Sequence, residues 1–295
     1  MAANVLIEEL GPKGKRKVLV ATSISLVLLA ILVVIALIRL NDNGQLEAAR
    51  WADLFEGDML RFLAQGLWST VSAAAVAGFL ATIIGFGLAL TRMSESAPAR
   101  VLAISWVEFF RGVPLLLTVL GVFAVAGADN SLGLGIFWSV VVALVLYNSA
   151  VLSEIFRAGV RSLDKGQSEA AKAVGMTYWQ MMFLVVLPQA VRRMVPAIVA
   201  QMATLTKDVS LGFVIGYAEF VRRGSNASNQ AGTEVGNFQS YVFVAVVYFI
   251  LVWLLAKLAE IMESRQKTTS KVAEGGGSDV PADVAAIGDP AVAPL

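Results

Sequence analysis

Apolar residues in this chain fall into long blocks rather than into period-two alternation or narrow helical stripes. A membrane-crossing helix takes about 20 mostly apolar residues. Six blocks meet that length, at 18–40, 66–90, 101–125, 134–156, 191–217 and 238–261. All six are expected to be helices, because an isolated strand leaves its backbone groups unpaired in lipid. Two blocks are interrupted. The third carries Glu108, Arg111 and Pro114, and the fifth carries Pro196, Lys207 and Asp208. Pro114 is expected to kink or break its helix, since proline removes a backbone donor and clashes with the preceding turn. Block 18–40 follows Lys13, Lys15, Arg16 and Lys17 and is longer than a signal peptide's apolar run. No small-residue cleavage site follows before NDNGQLEAAR, so a retained anchor helix is expected.

Between the blocks, residues 41–65 hold five acidic residues and the patterned run WADLFEGDMLRFL, which predicts an amphipathic helix on the outer surface. The C-terminal stretch 272–295 is rich in Gly, Ala, Pro and Asp without apolar period, which predicts a disordered tail. Composition agrees with a membrane protein. The chain is 57% hydrophobic and 15% charged, against about a quarter charged in soluble domains. It has no Cys and no His, which excludes disulfides, thiol chemistry, Cys/His zinc sites and a histidine base. Basic residues are scattered and aromatics lie inside apolar runs, so nucleic-acid binding is not expected.

The net charge of +1 says little, but its distribution sets an orientation. With the N-terminus inside, the inner segments collect Lys13, Lys15, Arg16, Lys17, Arg92, Arg100, Arg157, Arg161, Lys165, Lys172, Arg192 and Arg193. They also collect Lys257, Arg265, Lys267 and Lys271, whereas the outer loops hold Arg50, Arg61, Arg222 and Arg223, with Arg39 at the rim. The positive-inside rule therefore predicts six spans with both termini cytoplasmic.

That topology places the polar stretch 164–190 on the cytoplasmic side. Asp164 followed by Gln167 predicts a helix start, because the Asp accepts from an early backbone N–H and the Gln reaches back. A helix through SEAAKAV follows, and Gly175 suits the left-handed position that ends it. Thr177 with Gln180 repeats the start signal before YWQMMFLVVL, which Pro188 interrupts. The expected product is helix, tight turn, helix. Ala170, Ala171 and Ala173 give the first helix a small face, and the second opens on Tyr178 and Trp179. Two readings stay open on these residues alone. A small face beside an aromatic pair suits docking into another protein's groove. The same hairpin also suits packing beneath its own bundle.

Glu169-Ala170-Ala171, Gly175 and Val185-Val186-Leu187-Pro188 at these spacings resemble the EAA loop of bacterial ABC importer permeases, with Val185 where the pattern has Ile. EFFRGVPLL (108–116), SEIFRAGVRSLDKGQSEAA (153–171), LPQAVRRMVPA (187–197) and TKDVSL (206–211) look like the polar amino acid uptake subfamily, a resemblance covering residues 62–262. It implies an all-α integral membrane protein: a five-helix type I importer core plus one N-terminal helix, with a cytoplasmic coupling helix. The divisions would be an N-terminal segment 1–61, a transmembrane domain 62–264 holding the loop 164–190, and a tail 265–295. The implied partners are a dimer of cytosolic ATP-binding subunits, a second permease (sister or second copy), an extracytoplasmic solute-binding protein and membrane lipid. The coupling residues carried over are Glu169, Ala170, Ala171, Gly175, Tyr178 and Trp179. No phosphate loop of the form G-x-x-x-x-G-K-S/T is present, so ATP and Mg are expected on the partner and no cofactor or enzymatic activity in this chain. The extra first helix and the tail look like the longer permease of actinobacterial-type glutamate uptake systems. The resemblance implies alternating access driven by ATP in a bacterial cell membrane. Glutamate is the narrowest substrate reading; glutamine, aspartate or a basic amino acid are alternatives. An ion-coupled secondary transporter and a scaffold without transport are readings of other classes.

Ionisable residues inside a membrane cost on the order of 2.5–3.5 kcal/mol on insertion scales and usually face a partner or a watered path. Glu108 and Arg111 share a helix face and are expected to pair, as are Glu154 and Arg157. With Lys207 and Asp208 they are candidates for a substrate pathway or for pinning of helix packing. Tyr147, Asn148 and Ser149 form a polar step that suits either pathway lining or interhelical bonding.

Overall fold

A computed structural model describes residues 11–126, 133–229 and 236–275. Every regular element among them is helical. The long elements are α1 (Pro12–Asp42), α3 (Gly57–Met93), α6 (Gly135–Arg161), α9 (Leu187–Asp208) and α11 (Asn237–Gly275). Shorter ones are α2 (Ala48–Ala52), α4 (Ala97–Gly112), α5 (Leu115–Ala126), α7 (Lys165–Ala173), α8 (Tyr178–Met181) and α10 (Phe220–Asn226). Among the described residues five helices are long and apolar enough to span a membrane, and the bent pair α4–α5 makes a sixth candidate.

The centre is the packing of α3 on α6. Ala73, Ala77 and Ala81 of α3 and Ala143 of α6 are fully buried, so the two backbones approach closely. A Cβ at Gly85 would lie 2.8 Å from the Ser149 carbonyl and 2.9 Å from Leu152 Cβ. Small residues serve this purpose where lipid supplies no hydrophobic drive between helices. α4, α5 and α9 pack around this pair, and α11 packs on α9 and α10. α1 buries no side chain against the rest of the described residues.

Three expected spans have different bounds. The third is two helices meeting at 104°, because the break falls where Pro114 lacks a donor. The second begins at Gly57 rather than 66. The segment 41–65 supplies only the short α2 and one 3-10 turn, Asp53–Phe55, before α3 starts. Leu54, Met59 and Leu63 bury against Phe220 and Val244, and that contact draws the patterned run into the long helix. The fifth span starts at Tyr178, running through a π-helical turn, Met182–Val186, into α9 and ending in a 3-10 turn, Val209–Ile215. Pro188 sits in the first turn of α9, where the widened π turn relieves its missing N–H instead of breaking the helix. At the C-terminus α11 continues through Gly275, since no Gly or Pro interrupts ESRQKTTSKVAE. It thus enters the segment 265–295, the rest of which lies outside the described residues.

Candidate functional site

The hairpin between α6 and α9 is built by local chemistry. The Asp164 carboxylate caps α7, accepting from the Gly166 N–H at 2.8 Å. Such a cap is worth about 1 kcal/mol over alanine. Val174 ends the helix and Gly175 follows at φ +79°, the left-handed region that side-chain-bearing residues avoid. Thr177 and Gln180 close a reciprocal capping box over α8.

The hairpin's two faces differ. Ala171 is buried with Met181, Met182, Val186 and Leu187 on the protein's own floor, against Phe86 and Leu90 of α3 and Val160 and Leu163. The Tyr178 hydroxyl donates to the Met93 carbonyl at 2.7 Å, fastening α8 to the end of α3. Glu169, Ala170, Ala173 and Val174 stay exposed. Trp179 is exposed and stacks on Phe183 at 5.7 Å. The expected small face is therefore split. Ala171 and Tyr178 hold the hairpin to its bundle, while Glu169, Ala170 and Trp179 form the free surface.

Near the hairpin end of α3 and α6 lies a charge cluster. Glu154 receives Arg92 at 2.6 Å, Arg157 at 2.6 Å and Arg111 at 3.3 Å. The i, i+3 pair Glu154–Arg157 forms as expected. Glu108 and Arg111 do not pair with each other. Glu108 instead lies 4.0 Å from Arg92, and Arg111 reaches across to α6. The fully buried Glu154 neighbour Ser153 has a hydroxyl without a partner among the described residues.

The remaining pathway candidates lie elsewhere. Asn148 is fully buried, donates to the Leu144 carbonyl and accepts from Gln201 of α9 at 2.9 Å. It bonds helix to helix, and mid-membrane bonds of this kind average roughly 0.6 kcal/mol. Lys207 and Asp208 sit at the far end of α9, about 30 Å from the hairpin by helix rise. Lys207 is exposed on a recess of about 350 Å³ with Tyr248, Phe249 and Trp253. The candidates thus form a cluster at the hairpin end, a middle bridge and a cation at the far end of α9, not one site.

Three features escape a reading of the sequence. Arg92 appears there only as a topological charge, yet its side chain is 7% exposed and bound to Glu154. Glu219 is fully buried and caps α10, accepting from Val221 and Arg222 N–H and from the Tyr248 hydroxyl. Arg223 reaches the Phe62 carbonyl and Gln65 of α3 and stacks over the Phe62 ring. The partners of Arg92 and Arg223, and Tyr248 beside Glu219, lie far away in the chain, where no local spacing reveals them.

A multi-pass helical membrane protein with a capped, partly free hairpin between two spans is the class these features define. Residues 81–267 match the family of binding-protein-dependent transport system inner membrane components, and the chain belongs to it. It is 35% identical to the glutamate transport system permease protein GluD of Corynebacterium glutamicum over 246 residues, covering 80% of this chain and 89% of that one. It is 37% identical to the arginine transport system permease protein ArtQ of Bacillus subtilis over 210 residues, covering 70% and 93%. Among solved structures, an amino acid ABC transporter crystallised with histidines matches with TM-score 0.63 and 29% identity, covering 70% of this chain and 95% of that one.

Proposed function

We propose that this chain is a transmembrane permease subunit of an ATP-driven importer for polar amino acids, with glutamate as its substrate. The hairpin 164–190 docks onto a separate ATP-binding subunit, both termini are cytoplasmic, and a binding protein delivers the solute to the outer face. The chain pairs with a second permease, and the two halves rock between outward and inward openings as the ATP-binding dimer closes. ATP and Mg belong to that dimer. The observation that carries the reading is the hairpin itself, capped at both helices and turned by Gly175, with Trp179 and Ala170 free while Tyr178 ties it to α3.

Glutamate is favoured over a basic solute by the inner charge cluster. Three arginines face two carboxylates, Glu108 and Glu154, leaving a surplus cation for a solute that carries one carboxylate more than a neutral amino acid. Arg111 is the most open of the three. The 35% identity to GluD points the same way, and that to ArtQ keeps arginine as the competing substrate. Reconstitution into proteoliposomes with the ATP-binding subunit, the partner permease and the binding protein tests the reading. ATP-dependent uptake of labelled glutamate exceeding that of arginine and glutamine is expected. Uptake driven by an ion gradient without the ATP-binding subunit contradicts it.

A further inference from the structure

The inner charge cluster divides into a tight side and a loose side. Arg92 and Arg157 each reach Glu154 at 2.6 Å, the first joining the end of α3 to α6 and the second lying within α6. The links to α4 are longer and open. Arg111 lies 3.3 Å from Glu154 with a side chain 45% exposed, and Glu108 lies 4.0 Å from Arg92 at 63% exposed.

The hairpin belongs to the tight side. Tyr178 bonds to the carbonyl of Met93, the residue after Arg92. The hairpin floor packs on Phe86 and Leu90 of α3 and on Val160 of α6. Arg193 of α9 donates to the Ser162 carbonyl at 2.7 Å, closing the other end. α4 packs on α3 and α6 of this block, and its charge links to it are the two open ones. Three residues after Arg111 comes Pro114, where the chain turns 104° into α5. No helical hydrogen-bond ladder runs straight across that proline, so α4 can shift against α5 without one being broken.

We infer that Glu154 is a positioning residue for transport: its shared carboxylate passes displacement of the hairpin block to Arg111 and α4. Its two oxygens divide the work. Oε2 takes Arg157 within α6, and Oε1 takes both Arg92 of the block and Arg111 of α4. The other carboxylate of the cluster, Glu108, sits on α4 itself and only approaches Arg92. The inference rests on the proposed docking of the hairpin to an ATP-binding subunit.

The test uses the full importer in lipid nanodiscs, with spin labels on introduced cysteines at exposed Leu102 of α4 and exposed Lys172 of α7. The natural chain has no cysteine, so within it only the two introduced positions take a label. In the native background one narrow distance distribution is expected with and without ATP. Glu154→Gln is expected to broaden it and to lower uptake per ATP by about tenfold, within the usual range of coupling effects. Glu154→Asp, which keeps the charge, is expected to recover a large part of both. Should Glu154→Gln fail to fold, Arg111→Gln decides. It removes only the α4 link and is expected to give the same broadening. A native distribution and native uptake per ATP in Glu154→Gln, or a native distribution in Arg111→Gln, overturns the inference. A labelled native chain that does not retain the ATP-binding subunit overturns the docking reading instead, before Glu154 is touched.

Discussion

Single residues decide where helices approach and where they end. Gly85 and Gly87 lie two positions apart on α3 and are not equivalent. A Cβ at Gly85 meets backbone and Leu152 of α6, whereas nothing lies within 4 Å of one at Gly87. Gly85→Ala is expected to cost about 1–3 kcal/mol by overpacking, seen as a lower thermal midpoint in detergent. Gly87→Ala is expected to leave the midpoint unchanged or raise it; equal losses in both contradict the packing. Gly175 has open space around it and φ +79°, so its demand is conformational, and a β-branched residue is an outlier there. Gly175→Val is therefore expected to reduce coupling of ATP hydrolysis to uptake without affecting membrane insertion. Asp164, Gly175 and Thr177 were readable because capping acts within three residues. Arg157 beside Glu154 was readable in the same way, but Arg92 and Arg111 were not, because they stand 62 and 43 residues away on other helices.

At the scale of elements, breaks carry the meaning. Pro114 and Pro188 look alike in sequence, yet one turns the chain by 104° and the other rides a π turn inside a continuous span. The difference lies in what surrounds them. Met182, Val186 and Leu187 are packed against Ala171 and Met181, which holds the widened turn in line. The hairpin's outer face gives a direct prediction. Trp179→Ala is expected to weaken association with the ATP-binding subunit by about tenfold or more, as exposed aromatic anchors do. Phe86, partly buried beneath the hairpin, is no substitute for it, so native affinity in Trp179→Ala in a pull-down titration would contradict the docking face. α10 offers a pH prediction. Burial pushes the Glu219 carboxyl above the usual carboxylate range, against the pull of the Val221 and Arg222 N–H groups, the Tyr248 hydroxyl and the Arg222 charge. A raised value in the folded protein means this contribution is fully present below the ordinary Glu range and is lost as pH rises through the raised value. The thermal midpoint of Glu219→Gln is therefore expected to respond less than the native one to a shift from about pH 8 to about pH 5.

At the scale of the molecule, the order of spans was legible because each needs only length and apolarity. Their docking was not, since it depends on small residues such as Ala77 and Gly85 meeting α6 across the fold. The polar groups are spread over α4, α6 and α9 from the hairpin end to the far end of α9, which is why the six pathway candidates do not form one pocket. α1 stands apart, burying no side chain, and removing residues 1–40 is expected to leave the thermal midpoint of the remaining bundle unchanged. The central claim is that the free face of the hairpin meets an ATP-binding subunit. A photo-reactive amino acid placed singly at position 170 or at position 171 tests it most directly, since Ala170 is exposed and Ala171 is 5% exposed against its own bundle. Irradiation of the assembled importer is predicted to link position 170 to the ATP-binding subunit and position 171 to this chain alone. No cross-link to that subunit from position 170, in an importer that takes up its solute with ATP, would contradict the account.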